Sequence, residues 1–131
     1  MNEIETVNVI NNKVNTKLIL KEDEFCDYDA EDNNYICEIK NRRKYYADKI
    51  IEAVKLFKNF RHSTLLDKQF IYVVTDERGI WIYNITNNIE NIILFKPLIY
   101  SMPVSTDFKN NNKINKYCYT LKESIAFKME L

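Results

Sequence analysis

Two hairpin-like stretches joined by one long amphipathic segment predict an α/β protein with a central mixed β-sheet flanked by helices. The first stretch, residues 25–40, sets acid-bearing runs on either side of a polar cluster, Glu31-Asp32-Asn33-Asn34. The second, residues 69–85, sets two apolar runs on either side of Asp76-Glu77-Arg78-Gly79. Between them Tyr46, Ile50, Val54 and Phe57 recur at three- and four-residue spacing, the period of a helix.

In chain order, residues 1–15 carry Ile4, Val7 and Ile10 on one side of a short helix, a weak one because Val, Thr and Asn lower helix propensity. Residues 17–20 make a brief first strand. Glu22, Asp23 and Glu24 then form a solvated link that discourages edge pairing. Side chains alternate along a strand, so Asp27 and Asp29 share one face of the first hairpin arm, and Glu38 and Lys40 share one face of the second. A turn centred on Asn33-Asn34 sets Asp29 opposite Glu38; one centred on Asp32-Asn33 sets Asp27 there.

After Lys40, Asn41 is the expected N-cap of a helix running from about Lys44 to Arg61, with His62 at its C-terminal dipole. Glu52 and Lys55 form an i, i+3 pair on that helix. Residues 69–75 read as a strand buried on both faces, Gly79 as a turn residue suited to positive φ, and residues 80–85 as the returning strand, with Trp81 and Tyr83 packing. Residues 92–100 suggest a further strand up to Pro97, and residues 101–107 a loop. Asn110, Asn111 and Asn112 with Lys109, Lys113 and Lys116 suggest an exposed basic loop able to touch DNA, and residues 117–121 a final edge strand.

Carboxylates on neighbouring strands, about 4.5–5.5 Å apart at Cβ, repel unless a cation lies between them. Hard oxygen donors of this kind suit Mg²⁺, with Mn²⁺ as substitute. A lysine two residues past the glutamate can orient a metal-bound water or offset charge developing on a phosphate. Arg42 and Arg43 either neutralise the acidic hairpin or hold DNA phosphate through bidentate contacts. The competing reading is a solvated hairpin with a charged face.

Composition bounds these readings. With 131 residues, 46% hydrophobic and 29% charged, the chain makes one domain, residues 1–131, around one core. A formal net charge of zero argues against a protein that coats DNA non-specifically. Three cysteines without C-x-x-C spacing read as reduced thiols in a cytoplasmic compartment, Cys26 and Cys37 facing away from the acids. With only His62 to add, they do not suggest a structural zinc site. No run of 18 apolar residues or signal-like N-terminus is present, so neither a membrane span nor export is expected.

The order of an aspartate, a hairpin turn, Glu38-Ile39-Lys40, a long helix and another apolar strand resembles the PD-(D/E)XK, or restriction-endonuclease-like, nuclease superfamily over about residues 25–85. The resemblance implies a restriction-endonuclease-like core and Mg²⁺-dependent endonuclease cleavage of DNA; the sequence leaves the form of the target, and RNA in its place, open. It implies that Asp29 or Asp27 binds the metal with Glu38, that the Ile39 carbonyl completes the shell, and that Lys40 orients the attacking water. Asp29 is favoured because Ala30 supplies the small residue found after this ligand; the superfamily's proline is missing. Lys55, or as second choice Glu52, would reach back from the helix to the site, Arg42 would assist with phosphate charge, and Glu3 or Glu5 would add a carboxylate. A homodimer would cut both strands. The same scaffold without catalysis would be a binding module that occupies a host nucleic-acid enzyme.

Overall fold

Local sequence accounts for many of the nine strands and three helices that a computed structural model describes at residues 1–23, 25–103 and 113–130. Helix α1 (Glu3–Lys13) begins where the Asn2 side chain accepts the Glu5 N–H at 2.9 Å, and it buries Thr6, Val7 and Ile10. Strands β1 (Ile19–Leu20), β2 (Ala30–Glu31) and β3 (Tyr35–Asn41) form an antiparallel meander, with Ala30 opposite Cys37 and Glu31 opposite Ile36. Asp32 Oδ1 closes the hairpin turn by accepting the Asn34 and Tyr35 N–H groups, both at 2.8 Å. Glu24, the third acid of the preceding link, lies outside the described residues.

The next segment departs from expectation. Residues 49–52 form a strand, β4 (Lys49–Glu52), and helix α2 (Ala53–Leu65) starts only after it. Asn41 ends β3 instead of capping a helix, and Tyr46, Val54 and Phe57 are exposed. The buried side of α2 is Leu56, Asn59 and Ser63. The cause is non-local: β4 pairs with residues 118–121, Ile51 opposite Tyr119, and this pairing overrides helical spacing where Ile50 and Ile51 already favour a strand.

Beyond α2, β5 (Gln69–Asp76) runs parallel to β3 over its whole length, from Tyr35 opposite Gln69 to Asn41 opposite Thr75. β6 (Gly79–Asn84) returns antiparallel to it, as the apolar runs predict. Gly79 sits at φ +141°, and a Cβ there would overlap the Met129 carbonyl oxygen, so glycine is required twice over.

Helix α3 (Ile85–Ile93) then occupies part of the expected strand at 92–100. The Asn84 side chain caps it at the Asn87 N–H, 3.0 Å, and Ile85, Ile89 and Ile92 share its packed side. Strand β7 (Leu98–Pro103) begins only after Pro97 and takes the first residues of the expected loop; the remainder of that loop, Lys109 and the three asparagines lie outside the described residues. Strand β8 (Lys113–Leu121) is central instead of an edge, between β4 and β7, and β9 (Phe127–Met129) adds to β6.

The result is a six-stranded mixed sheet ordered β1-β2-β3-β5-β6-β9 and a three-stranded sheet ordered β4-β8-β7. One face of the large sheet packs Val7 and Ile10 of α1 against Cys37, Ile39, Ile71 and Val73. The other packs Ile36, Phe70, Tyr72 and Val74 against Leu56 of α2, Ile85 and Ile92 of α3, and Ile51 and Tyr119 of the small sheet. Among the described residues, no helix is long and apolar enough to cross a membrane.

Candidate functional site

Alternation along β3 sends Ile36, Glu38 and Lys40 to the α2 side of the sheet and Cys37 and Ile39 to the α1 side. Glu38 is only 8% exposed. The β2–β3 ladder ends with Ala30 opposite Cys37, and Asp29, the residue just before it, stands close enough for its charge to act on Glu38. Asp29 is fastened there twice: its N–H donates to the Cys37 carbonyl at 2.8 Å, and its Oδ2 accepts the Ile39 N–H at 2.7 Å. In an extended strand a residue's N–H and C=O leave by the same edge, so the Ile39 carbonyl points to this same side.

From α2, Lys55 reaches over the strand, its Nζ 3.5 Å from Glu38 Oε1. Asp29, Glu38, Lys40, Lys55, Asn59 and Glu3 line one cleft of about 580 Å³. Glu3 arrives from the first turn of α1; Glu5 does not line the cleft and is exposed.

The electrostatics are those of crowded acids in a poorly solvated place. Burial, and then the nearby Asp29 charge, push Glu38 up to about 7. Burial also raises Asp29, against the pull of the Ile39 N–H, Lys55 and Lys40. Glu3 is raised by burial and by Asp29. Lys40 is lowered, first by burial and then by the Lys55 and Arg42 charges.

Asp27 lines the same cleft but has other partners: Lys58 Nζ at 3.0 Å and His62 Nε2 at 2.8 Å. Those contacts hold its carboxyl below the usual range, Lys58 contributing most. His62 thus turns to Asp27 from the last turn of α2. Cys26 lines the cleft beside Asp27 instead of packing on the opposite face, because residues 25–29 precede the strand and do not follow its alternation.

Glu52, the second candidate after Lys55, also lines the cleft, but from the residue just before α2, and it binds Lys116 Nζ at 2.9 Å. Arg42 lies over the Tyr46 ring, 5.6 Å from its centroid, and lines a continuation of the cleft beside Lys40. Arg43 is exposed and lines neither. On the α1 side a second cleft of about 470 Å³, floored by Ile10, Ile71 and Ile82, has no acid, base or cysteine in its lining.

Among the described residues, no three His, Cys, Asp or Glu side chains are gathered as a ready-made metal cluster. Two neighbouring carboxylates and a strand carbonyl nonetheless match the donors of a hard divalent cation that keeps several waters. Sequence reading missed Asn59, which lines the cleft one helical turn beyond Lys55. Its only sequence signal is its place in the stripe shared with Leu56 and Ser63. Comparison with protein-family models, curated proteins and solved structures returns no significant match.

Proposed function

We propose that this protein is a metal-dependent nuclease that hydrolyses DNA phosphodiester bonds in the cleft between β3 and α2. One observation carries the reading: Asp29 and Glu38 line a single cleft, with Lys40 on the Glu38 face of β3, and Lys55 enters the same cleft. The succession of α1, meander, α2 and a strand parallel to β3 is compatible with the resemblance to restriction-endonuclease-like proteins.

Asp29, Glu38 and the Ile39 carbonyl would hold Mg²⁺ or Mn²⁺, with Glu3 close enough to the acids to raise their charge density. Such an ion supplies charge neutralisation at the scissile phosphate and a more acidic bound water. Lys40, lowered by burial and its cationic neighbours, gives up a proton more readily than a free lysine and so suits orienting or deprotonating the attacking water. Lys55 and Arg42 offset phosphate charge. Incubating plasmid DNA and Mg²⁺ with the protein and with Lys40→Ala tests this: cutting by the native chain should fall at least about 100-fold in the variant, and equal cutting by both removes the reading.

A second reading is a nuclease-fold binding module without catalysis. Lys55 already pairs with Glu38, and the described residues hold no three-ligand cluster, as a site that has exchanged its metal for an internal ammonium would have. Calorimetric titration with Mn²⁺ separates the two, since only the nuclease requires uptake that Glu38→Gln abolishes.

A further inference from the structure

Helix α2 buries a polar side chain that the fold itself does not use. Asn59 is 1% exposed, and among the described residues neither its amide nitrogen nor its amide oxygen has a hydrogen-bond partner. Buried donors and acceptors are nearly always paired, because leaving one unpaired forfeits its hydration without return. A leucine of similar size would suit a stripe that also buries Leu56, so packing alone does not call for an amide here.

Its location supplies a reason. Asn59 lines the cleft of Asp29, Glu38, Lys40 and Lys55, and it follows Lys55 by four residues, on the same stripe of α2 one turn along. The Tyr83 hydroxyl, the other buried unpartnered group among the described residues, is absent from that lining. An amide carries two donors and an acceptor, so it can bind an anionic oxygen and a water at the same time. A lysine offers only donors, and a carboxylate would repel the anion.

Resting on the nuclease reading, we propose that Asn59 is a substrate-positioning residue, its Nδ2–H donating to a non-bridging oxygen of a phosphodiester in the cleft while its Oδ1 accepts an O–H from an adjoining water. Lys55 brings charge to that phosphate, and Asn59 brings direction. The amide is closed to solvent and unpaired among the described residues, so substrate entry has to part α2 from the cleft floor or turn the Asn59 side chain for the amide to be paired.

The test compares the native chain, Asn59→Leu, Asn59→Ser and Lys40→Ala for thermal midpoint, for kcat and KM on a labelled oligonucleotide with Mg²⁺, and for affinity for the same oligonucleotide with Ca²⁺. Asn59→Leu is expected to melt at or above the native midpoint while kcat/KM falls about 10- to 100-fold. Native kcat and KM in a folded Asn59→Leu overturn the proposal. If Asn59→Leu fails to fold, Asn59→Ser decides: a kcat/KM loss of about 10-fold or more sustains the proposal, and a smaller loss means that the amide serves the fold through a buried water and overturns it. If the native protein does not cut, the nuclease reading fails separately. Asn59 is then judged by Ca²⁺ affinity alone, where about a five-fold loss or more in the folded variant sustains phosphodiester contact and a smaller loss removes it.

Discussion

Glu38 carries the sharpest consequence of a single side chain's surroundings. Its folded-state value of about 7 lies above the ordinary 4.5, so between those limits the native state holds a proton that the unfolded chain has released. The stability this contributes is complete below pH 4.5 and is lost as pH rises through about 7. Glu38→Gln, which cannot ionise, should therefore be more stable than the native chain at pH 8, by roughly 2–3 kcal/mol, and nearly equal to it at pH 4. Urea unfolding at the two pH values checks this; an equal difference at both would mean that Glu38 is not raised. Under the nuclease reading the ionised form is the active one, so DNA cutting rises with pH over the range in which the metal-free protein loses stability.

At the scale of elements, α2 decides which residues meet the strand that bears Glu38. Its packed side is Leu56, Asn59 and Ser63, whereas Val54 is 74% exposed. Leu56→Ala should cost about 2–5 kcal/mol by leaving a cavity between α2 and the large sheet. Val54→Ala should stay within about 0.5 kcal/mol. Paired denaturant titrations measure the contrast, and reversed magnitudes would restore the helical face suggested by the Tyr46, Ile50, Val54 and Phe57 spacing. That spacing misled because its first two members lie before the helix, and because an asparagine and a serine take core positions that apolar residues normally mark.

For the whole molecule, Lys49 fastens the two sheets. It leaves β4 of the small sheet, is almost fully buried, and stands 2.8 Å from Glu123 Oε1 and 3.9 Å from Asp76 Oδ2 at the end of β5. Its ammonium also lies over the Tyr45 and Trp81 rings, at 4.1 and 3.9 Å from their centroids. Lys49→Ala should cost about 3–5 kcal/mol, because it strands the buried Asp76 charge as well as removing the contact. Adding Asp76→Asn should recover part of that loss, and urea unfolding of the single and double variants reads the coupling. Additive losses would show that Lys49 acts only by filling space.

The acid-bearing hairpin, the doubly buried strand at 69–76 and the glycine turn were legible because each rests on a local rule: period-two alternation, turn chemistry and an apolar run. The two turn registers placed either Asp27 or Asp29 opposite Glu38; the folded chain uses the Asn33-Asn34 turn, its ladder ending at Ala30 opposite Cys37 with Asp29 next in line, while Lys58 and His62 of α2 engage Asp27. Pairing with 118–121 decided that residues 49–52 are a strand, and packing over the large sheet, with the Asn84 cap, decided that residues 85–93 are a helix. Tertiary contacts also brought Glu3, Lys55 and Asn59 to one cleft. Periodicity along a chain reports which way a side chain faces, but it carries no information about which distant segment supplies the other wall, and in this protein that wall completes the cleft.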